Sequence, residues 1–101
     1  MNVEHGFHAT MTTRPGQARA VIDLLLAAPA MTHPDCVVFL VGRSASDPDV
    51  VHVTEGWTTK EAHEAFSATE GARSVIAALQ PLLAGESASA DEVPVAGKAA
   101  F

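Results

Sequence analysis

The segment 36–57, CVVFLVGRSASDPDVVHVTEGW, decides the fold because it contains two strand-like runs joined by a turn. Its first run, CVVFLVGRS, is rich in β-branched and aromatic residues and has the length of a strand, which predicts burial on both faces. SASDPD has the composition of a turn. VVHVTEGW then alternates, with Val51 and Val53 on one face and His52 and Thr54 on the other. We therefore predict a β-hairpin.

A strand and a helix are predicted before the hairpin. Residues 4–13, EHGFHATMTT, alternate with Phe7 and Met11 on one face, which indicates a half-buried strand. RPG breaks this strand, and Pro15 suits the first turn of the helix that follows. Pro29 ends that helix near residue 28. Its apolar stripe, at helical spacing, consists of Ala18, Val21, Ile22, Leu25 and Leu26.

Two helical segments are predicted after the hairpin. Thr58, followed three residues later by Glu61, forms a capping-box pattern that predicts a helix over residues 59–68. Gly71 separates it from a second helical segment, ARSVIAALQPLLA, which Pro81 kinks or ends. The residues predicted to face inward are Ala62, Ala65, Phe66 and Thr69 in the first segment, and Val75, Leu79, Leu82 and Leu83 in the second.

The last patterned region is interpreted as a strand over residues 87–95, so the order is strand, helix, strand, strand, helix pair, strand. This is the order of a ferredoxin-like split βαβ fold of the α+β class, in which an antiparallel sheet carries its helices on one face. The 101 residues are predicted to form one domain, with a core over residues 5–95 and a tail over 96–101. A second copy is expected to cover the open sheet face, which predicts a homodimer.

Composition excludes several classes of function. Six Lys and Arg residues against twelve Asp and Glu residues give a net charge of −6, the wrong sign for a nucleic-acid partner. A single cysteine, Cys36, cannot form an intramolecular disulfide and is interpreted as a small buried apolar residue. The sequence lacks the GxGxxG, Walker, HExxH and GxSxG motifs. It also lacks an apolar run of the roughly 20 residues that cross a bilayer, so we expect a cytoplasmic protein without a membrane partner.

Candidate functional residues follow from these predicted elements. Trp57 stands where the third strand ends, and is either a core side chain whose indole N–H binds a backbone carbonyl or a wall of an aromatic-binding pocket. His63 points either along the mouth of that pocket or into solvent. Arg73 opens the third helix, and either pairs with Glu70, faces solvent or holds a ligand oxygen. His5 and His33 are expected to be solvated.

The central, adjacent strands are predicted to bring His8, Thr10, His52 and Thr54 into one polar patch. Three interpretations of its two histidines stay open. They are a hydrogen-bonded structural pair at the dimer face, an acid/base or proton relay, or a metal site that lacks a nearby Asp, Glu or Cys ligand. We predict no metal site.

The stretch EGWTTKEAHEAF, preceded by FHATMTTRPGQARAVIDLLL and PDCVVFLVGRS, resembles the antibiotic biosynthesis monooxygenase family of small dimeric α+β barrel proteins. The resemblance spans about residues 5–95, and its most specific part is the pattern E-x-W-x-[ST]-x-E-A-H at residues 55–63. It implies oxidation of a quinol or a phenolic polyketide by O₂ without metal, flavin or haem. The implied site residues are His52 and His63 as base or donor, Trp57 as the pocket tryptophan, and Arg73, His8 and Phe66 as further substrate contacts.

In the implied reaction a phenolic substrate is deprotonated, its phenolate reduces O₂, and recombination gives a peroxide that loses water to leave a quinone. Haem degradation is disfavoured, because Phe66 and Ser67 occupy the positions where haem-degrading relatives carry the iron-ligating histidine. A second interpretation is a catalytically silent dimeric barrel that binds a small aromatic ligand or acts as an assembly module, since one fold hosts many functions.

Overall fold

The computed structural model describes residues 2–98, which form one antiparallel sheet with helices packed on one face. The strands are β1 (His5–Thr12), β2 (Cys36–Arg43), β3 (Val50–Trp57) and β4 (Ala88–Glu92), and the helices are α1 (Ala18–Leu26), α2 (Lys60–Ser67) and α3 (Glu70–Leu79). Short 3₁₀ segments, Pro29–Thr32 and Gln80–Leu82, follow α1 and α3. The sheet order is β2-β3-β1-β4, which confirms the ferredoxin-like α+β prediction and the central position of β1 and β3.

The core lies between the sheet and the helices. Val51 and Val53 face inward from β3, as the alternation predicts, and Val21 of α1 packs on them with no solvent exposure. Each such aliphatic side chain contributes roughly 1.5–3 kcal/mol on burial. The remaining buried members of this cluster are Met11, Ala18, Leu25 and Leu79. Val75, Leu82 and Leu83 pack against the cluster as expected, and Pro81 lies in the 3₁₀ segment that ends α3.

The prediction that β2 is buried on both faces is wrong. β2 is an edge strand that pairs only with β3 within the described sheet, and Leu40 remains 47% exposed on the face opposite the helices. A continuous apolar run indicates burial, but no helix of the described residues packs on the second face of β2. The final strand is also shorter than the predicted residues 87–95, and the predicted tail extends beyond the described residues.

Several helix boundaries differ from the predictions. Thr59, not Thr58, caps α2, because its Oγ1 accepts the backbone N–H of Ala62 at 3.0 Å. Gly71 does not separate the two helices, since α3 begins at residue 70 and Thr69 caps it. Pro15 precedes α1 and belongs to a turn. Three residues predicted to face inward, Leu26, Ala65 and Thr69, are exposed. None of the helices described over residues 2–98 is long and apolar enough to cross a membrane.

Candidate active site

A cavity of about 720 Å³ opens between the sheet and the helices. Its wall is largely apolar and includes the aromatic side chains of Phe7, Phe39 and Phe66. Two titratable side chains, Glu55 and His63, enter it from β3 and α2, and a third, Glu86, lines it from the segment before β4. A volume of this size suits a small organic ligand.

Glu55 occupies an inward position of β3, on the same face as Val53 and Trp57, because side chains two residues apart on a strand share a face. Its side chain is only 13% exposed. The indole Nε1–H of the fully buried Trp57 donates to Glu55 Oε1 at 2.9 Å. Trp57 is thus a core residue, the first of the two interpretations left open, but its N–H binds a carboxylate rather than a backbone carbonyl. This bond holds the carboxylate at the cavity wall.

His63 reaches the same carboxylate from α2, one turn after the Thr59 cap. Its Nε2 lies 3.8 Å from Glu55 Oε1, and its ring is 13% exposed. Its other nitrogen, Nδ1, lies 3.0 Å from Nε2 of His5. The ring also packs against those of Trp57 and Phe7, each at 5.1 Å between centroids. These contacts from two strands orient His63 toward Glu55.

His5 and Asp91 extend this polar chain to the surface. Asp91 on β4 pairs with Phe7 in register, which brings its carboxylate diagonally across the sheet to His5 on β1. His5 Nε2 lies 3.2 Å from Asp91 Oδ1, and Asp91 is 66% exposed. We assign the shared proton to His5 Nε2, which donates toward Asp91 and His63 Nδ1, so that His63 carries its own proton on Nε2, facing Glu55.

Burial sets the acid–base character of the pair in the cavity. It raises the pKa of the Glu55 carboxyl, an effect that the hydrogen bond from Trp57 and the charge of His5 partly oppose. Burial, reinforced by His5, lowers the pKa of His63, with Asp91 and Glu64 acting in the opposite sense. The arrangement therefore combines a carboxylate that is more basic than an exposed one with a histidine that tends to be neutral.

His33 contributes to the aromatic wall behind the cavity, so the expectation that His5 and His33 are solvated is wrong. The His33 ring packs against Trp57 at 5.3 Å and against Phe66 at 5.4 Å between centroids. Its Nδ1 accepts the backbone N–H of Asp35 at 3.1 Å. His5 is only 5% exposed. Both histidines pack against rings that are distant in the sequence. Local sequence patterns do not reveal such contacts.

The structure divides the predicted site residues into two groups. His63 and Phe66 line the cavity, and Trp57 packs directly against both rings. His8 and His52 lie instead on the opposite face of the sheet, and Arg73 is exposed on α3 and does not line the cavity. Of the two residues proposed as base or donor, His63 lines this cavity and His52 does not, because even-numbered β3 residues point away from the helices.

The predicted polar patch does form on that opposite face. His8 pairs with Thr54 in register and Thr10 with His52, and His52 Nδ1 lies 3.1 Å from Thr10 Oγ1. His8 Nε2 lies 2.8 Å from a carboxylate oxygen of Glu92. These contacts agree with a hydrogen-bonded structural patch, the first of the three interpretations left open by the sequence.

Sequence reasoning missed Glu55, His5 and Asp91 as members of the site. The signal for Glu55 was present, since a glutamate stands at an inward, otherwise apolar position of VVHVTEGW. His5 and Asp91 gave no comparable signal, because 86 positions separate them in the chain (91 − 5) and only the β1–β4 register joins them.

The fold and cavity define a small α+β protein with a carboxylate–histidine pair facing an aromatic-lined space. The sequence profile of the antibiotic biosynthesis monooxygenase family matches residues 5–78, and the chain belongs to that family. Among curated proteins, the comparison finds no match to this chain.

Solved structures share this fold over nearly their whole length. A protein of Chloroflexus aurantiacus J-10-fl, described as a candidate antibiotic biosynthesis monooxygenase, is 31% identical with a TM-score of 0.80, over 94% of this chain and 96% of that one. A Deinococcus radiodurans protein of the same description is 25% identical with a TM-score of 0.78, over 96% of each chain. A third, from Caulobacter crescentus CB15, is 23% identical with a TM-score of 0.83, over 94% and 92%, and shows the fold alone.

Proposed function

We propose that this protein is a monooxygenase that oxidises a quinol or a phenolic, polyketide-type aromatic with O₂, without metal, flavin or haem. The observation that carries the proposal is the Glu55–His63 pair in an otherwise largely apolar, aromatic-lined cavity. A flat aromatic substrate suits the phenylalanine-rich wall, and a buried base suits the removal of a phenolic proton. Membership of the family supports the same reaction class.

Glu55 is the proposed general base. Burial strengthens it as a proton acceptor, and the indole of Trp57 fixes the orientation of its carboxylate. His63 acts from 3.8 Å away, where its Nε2–H faces Glu55 Oε1. His5 acts through His63 as a positioning residue, because it contacts His63 Nδ1 and does not line the cavity. His52 takes no part in this scheme, since it faces the opposite side of the sheet.

The proposed reaction begins when Glu55 accepts the phenolic proton. The phenolate gives one electron to O₂, and the resulting phenoxyl radical and superoxide combine at a ring carbon to form a C–O bond. Loss of the ring proton then breaks the O–O bond of the protonated peroxide. One oxygen atom stays as a quinone carbonyl, and the other leaves as water. In balance, the aromatic loses two hydrogen atoms and gains one oxygen atom as O₂ is reduced by four electrons.

We further propose that the protein works as a homodimer in the cytoplasm. One face of the sheet carries no helix from residues 2–98, and Leu40 is 47% exposed on it. Two apolar residues that follow β4, Val93 and Val95, are 78% and 90% exposed. A second copy would remove such apolar surface from water. The lone thiol of Cys36 is compatible with a reducing compartment.

Oxygen consumption with a panel of quinols and dihydroxynaphthalenes tests the proposal. We expect O₂ uptake that depends on the protein, persists after treatment with EDTA and matches quinone formation in a one-to-one ratio. Fluorescence of Trp57, the single tryptophan, reports ligand binding in the same samples. Quenching by these aromatics without any O₂ uptake would contradict the monooxygenase proposal and favour the silent ligand-binding alternative.

A further inference from the structure

Three potential metal ligands meet beside the cavity, on the side of His63 that faces away from Glu55. They are Nε2 of His5, Nδ1 of His63 and the carboxylate of Asp91, and these atoms all lie within 4.8 Å of one another. They come from β1, α2 and β4. We propose that His5, His63 and Asp91 bind one divalent first-row transition-metal ion, with Zn²⁺ as the reference cation.

The two distances from His5 to the other ligand atoms fit a common cation. His5 Nε2 lies 3.0 Å from His63 Nδ1 and 3.2 Å from Asp91 Oδ1. Metal bonds of about 2.0–2.2 Å place neighbouring ligand atoms roughly 3–3.5 Å apart in tetrahedral or octahedral coordination. His5 is buried and held by the sheet, whereas the Asp91 side chain is 66% exposed and free to adjust. Two imidazoles and a carboxylate favour Zn²⁺ and similar ions over Mg²⁺.

The surroundings of His63 supply a carboxylate that can orient its ring for metal binding. A histidine that binds a metal through one nitrogen usually donates its other N–H to a carboxylate, which fixes the ring. Nε2 of His63 faces Glu55 Oε1 at 3.8 Å, and the indole of Trp57 holds that oxygen in turn. Glu55 therefore stands on the side of His63 where such a carboxylate is found, at a distance longer than a hydrogen bond, and a small rotation of either side chain would close it.

The cation would take the place of the proton shared by the two histidines and would join three separate elements. β4 is exposed along its whole length and pairs only with β1 in the described sheet, so a bond through Asp91 fastens it to β1 and α2. The cation site does not depend on the proposed oxidation, which uses Glu55 and His63 and requires no metal. It adds a means of stabilising the wall of the cavity.

Cobalt provides a direct test, because Co²⁺ occupies such sites and its visible absorption reports coordination. The 101-residue chain is stripped with EDTA and titrated with Co²⁺ and then with Zn²⁺, and its thermal midpoint is measured in separate samples. We expect one Co²⁺ per chain, displacement by Zn²⁺, a higher thermal midpoint with Zn²⁺ and no response to Mg²⁺. Absence of Co²⁺ absorption and of Zn²⁺ stabilisation in the wild type would overturn the proposal.

Variants locate the cation. Asp91→Asn, at an exposed position, and His5→Gln are each expected to weaken Zn²⁺ affinity at least about tenfold, while Glu55→Gln weakens it through His63 by about 10- to 100-fold. His52→Gln, on the opposite face of the sheet, serves as the matched histidine control and should leave affinity unchanged. Circular dichroism checks that each variant is folded.

Unchanged Zn²⁺ affinity in Asp91→Asn, or an equal loss of affinity in His52→Gln, would show that the cation binds elsewhere. O₂ uptake is not used as a readout, so failure of the oxidation proposal leaves this test intact.

Discussion

The indole N–H of Trp57 donates a 2.9 Å hydrogen bond to Oε1 of Glu55, two residues earlier on the same face of β3. This bond explains how a carboxylate occupies a strand position that otherwise carries core valines. It also directs the Glu55 oxygen toward His63 on α2. A single strand therefore supplies both the proposed base and the group that orients it.

Replacing Glu55 by glutamine removes the proposed base but keeps an oxygen that can accept the Trp57 N–H. We expect Glu55→Gln to lower kcat for quinol oxidation by at least about 100-fold, in line with the usual contribution of a general base. Steady-state O₂ uptake measures the effect. Glu61→Gln, at an exposed position of the same helix, is the matched control and should keep wild-type kcat. An active Glu55→Gln variant would remove Glu55 from the mechanism.

The Trp57–Glu55 bond is expected to stabilise the fold as well as the site. Trp57→Phe leaves a mostly buried carboxylate without this donor, which costs roughly 1–3 kcal/mol in addition to the effect of the smaller ring. In a Glu55→Leu background the same change should cost less, because no carboxylate remains. Urea unfolding followed by circular dichroism gives the coupling energy. A coupling energy near zero would show that the bond does not contribute to stability.

Mutation of Thr59 tests whether this residue caps α2, as the structure shows, rather than the neighbouring Thr58. Thr59→Ala should lower the free energy of unfolding by roughly 0.5–2 kcal/mol, because the backbone N–H of Ala62 loses its acceptor. Thr59→Ser retains a capping hydroxyl and should lose much less. Chemical denaturation of the two variants provides the comparison, and equal losses would contradict the capping role.

Dimerisation is expected to depend on the open face of the sheet. Light scattering on a sizing column should give about 21 kDa for the wild type, twice the chain mass of 10.5 kDa. Leu40→Glu puts a charge on the exposed apolar part of this face and should shift the protein toward the monomer. Glu61→Lys, on exposed α2, controls for a change of charge alone. A monomeric wild type at micromolar concentration would refute the dimer.

Cys36 should react slowly with alkylating reagents while the protein is folded. Burial and the charge of Glu55 raise the pKa of its thiol from 9.0 to about 11. At pH 8 the thiolate is then about 0.1% of the folded protein against about 10% of the unfolded chain, a roughly 100-fold difference. Iodoacetamide kinetics with and without urea measure it, and the rate for folded protein should rise until about pH 11. Equal rates at pH 8 would contradict the raised pKa.

The accuracy of the fold prediction reflects how local each signal is. Alternation in residues 4–13 and 50–57 identified β1, β3 and their inward faces, since neighbouring strand residues point to opposite faces of the sheet. The boundaries of α2 and α3 were predicted less well. Thr58 and Thr59 are both capping residues, and only the backbone path decides which hydroxyl accepts the Ala62 N–H.

By itself, the sequence determined the order of the elements, the adjacency of β1 and β3, the polar patch around His52 and the presence of Trp57 and His63 near the space between sheet and helices. Only the tertiary structure decided that His52 and His63 lie on opposite sides of the sheet. It alone joined His5 and Asp91 to His63, because the contacts depend on strand register and helix packing between residues up to 86 positions apart, and no local period encodes them.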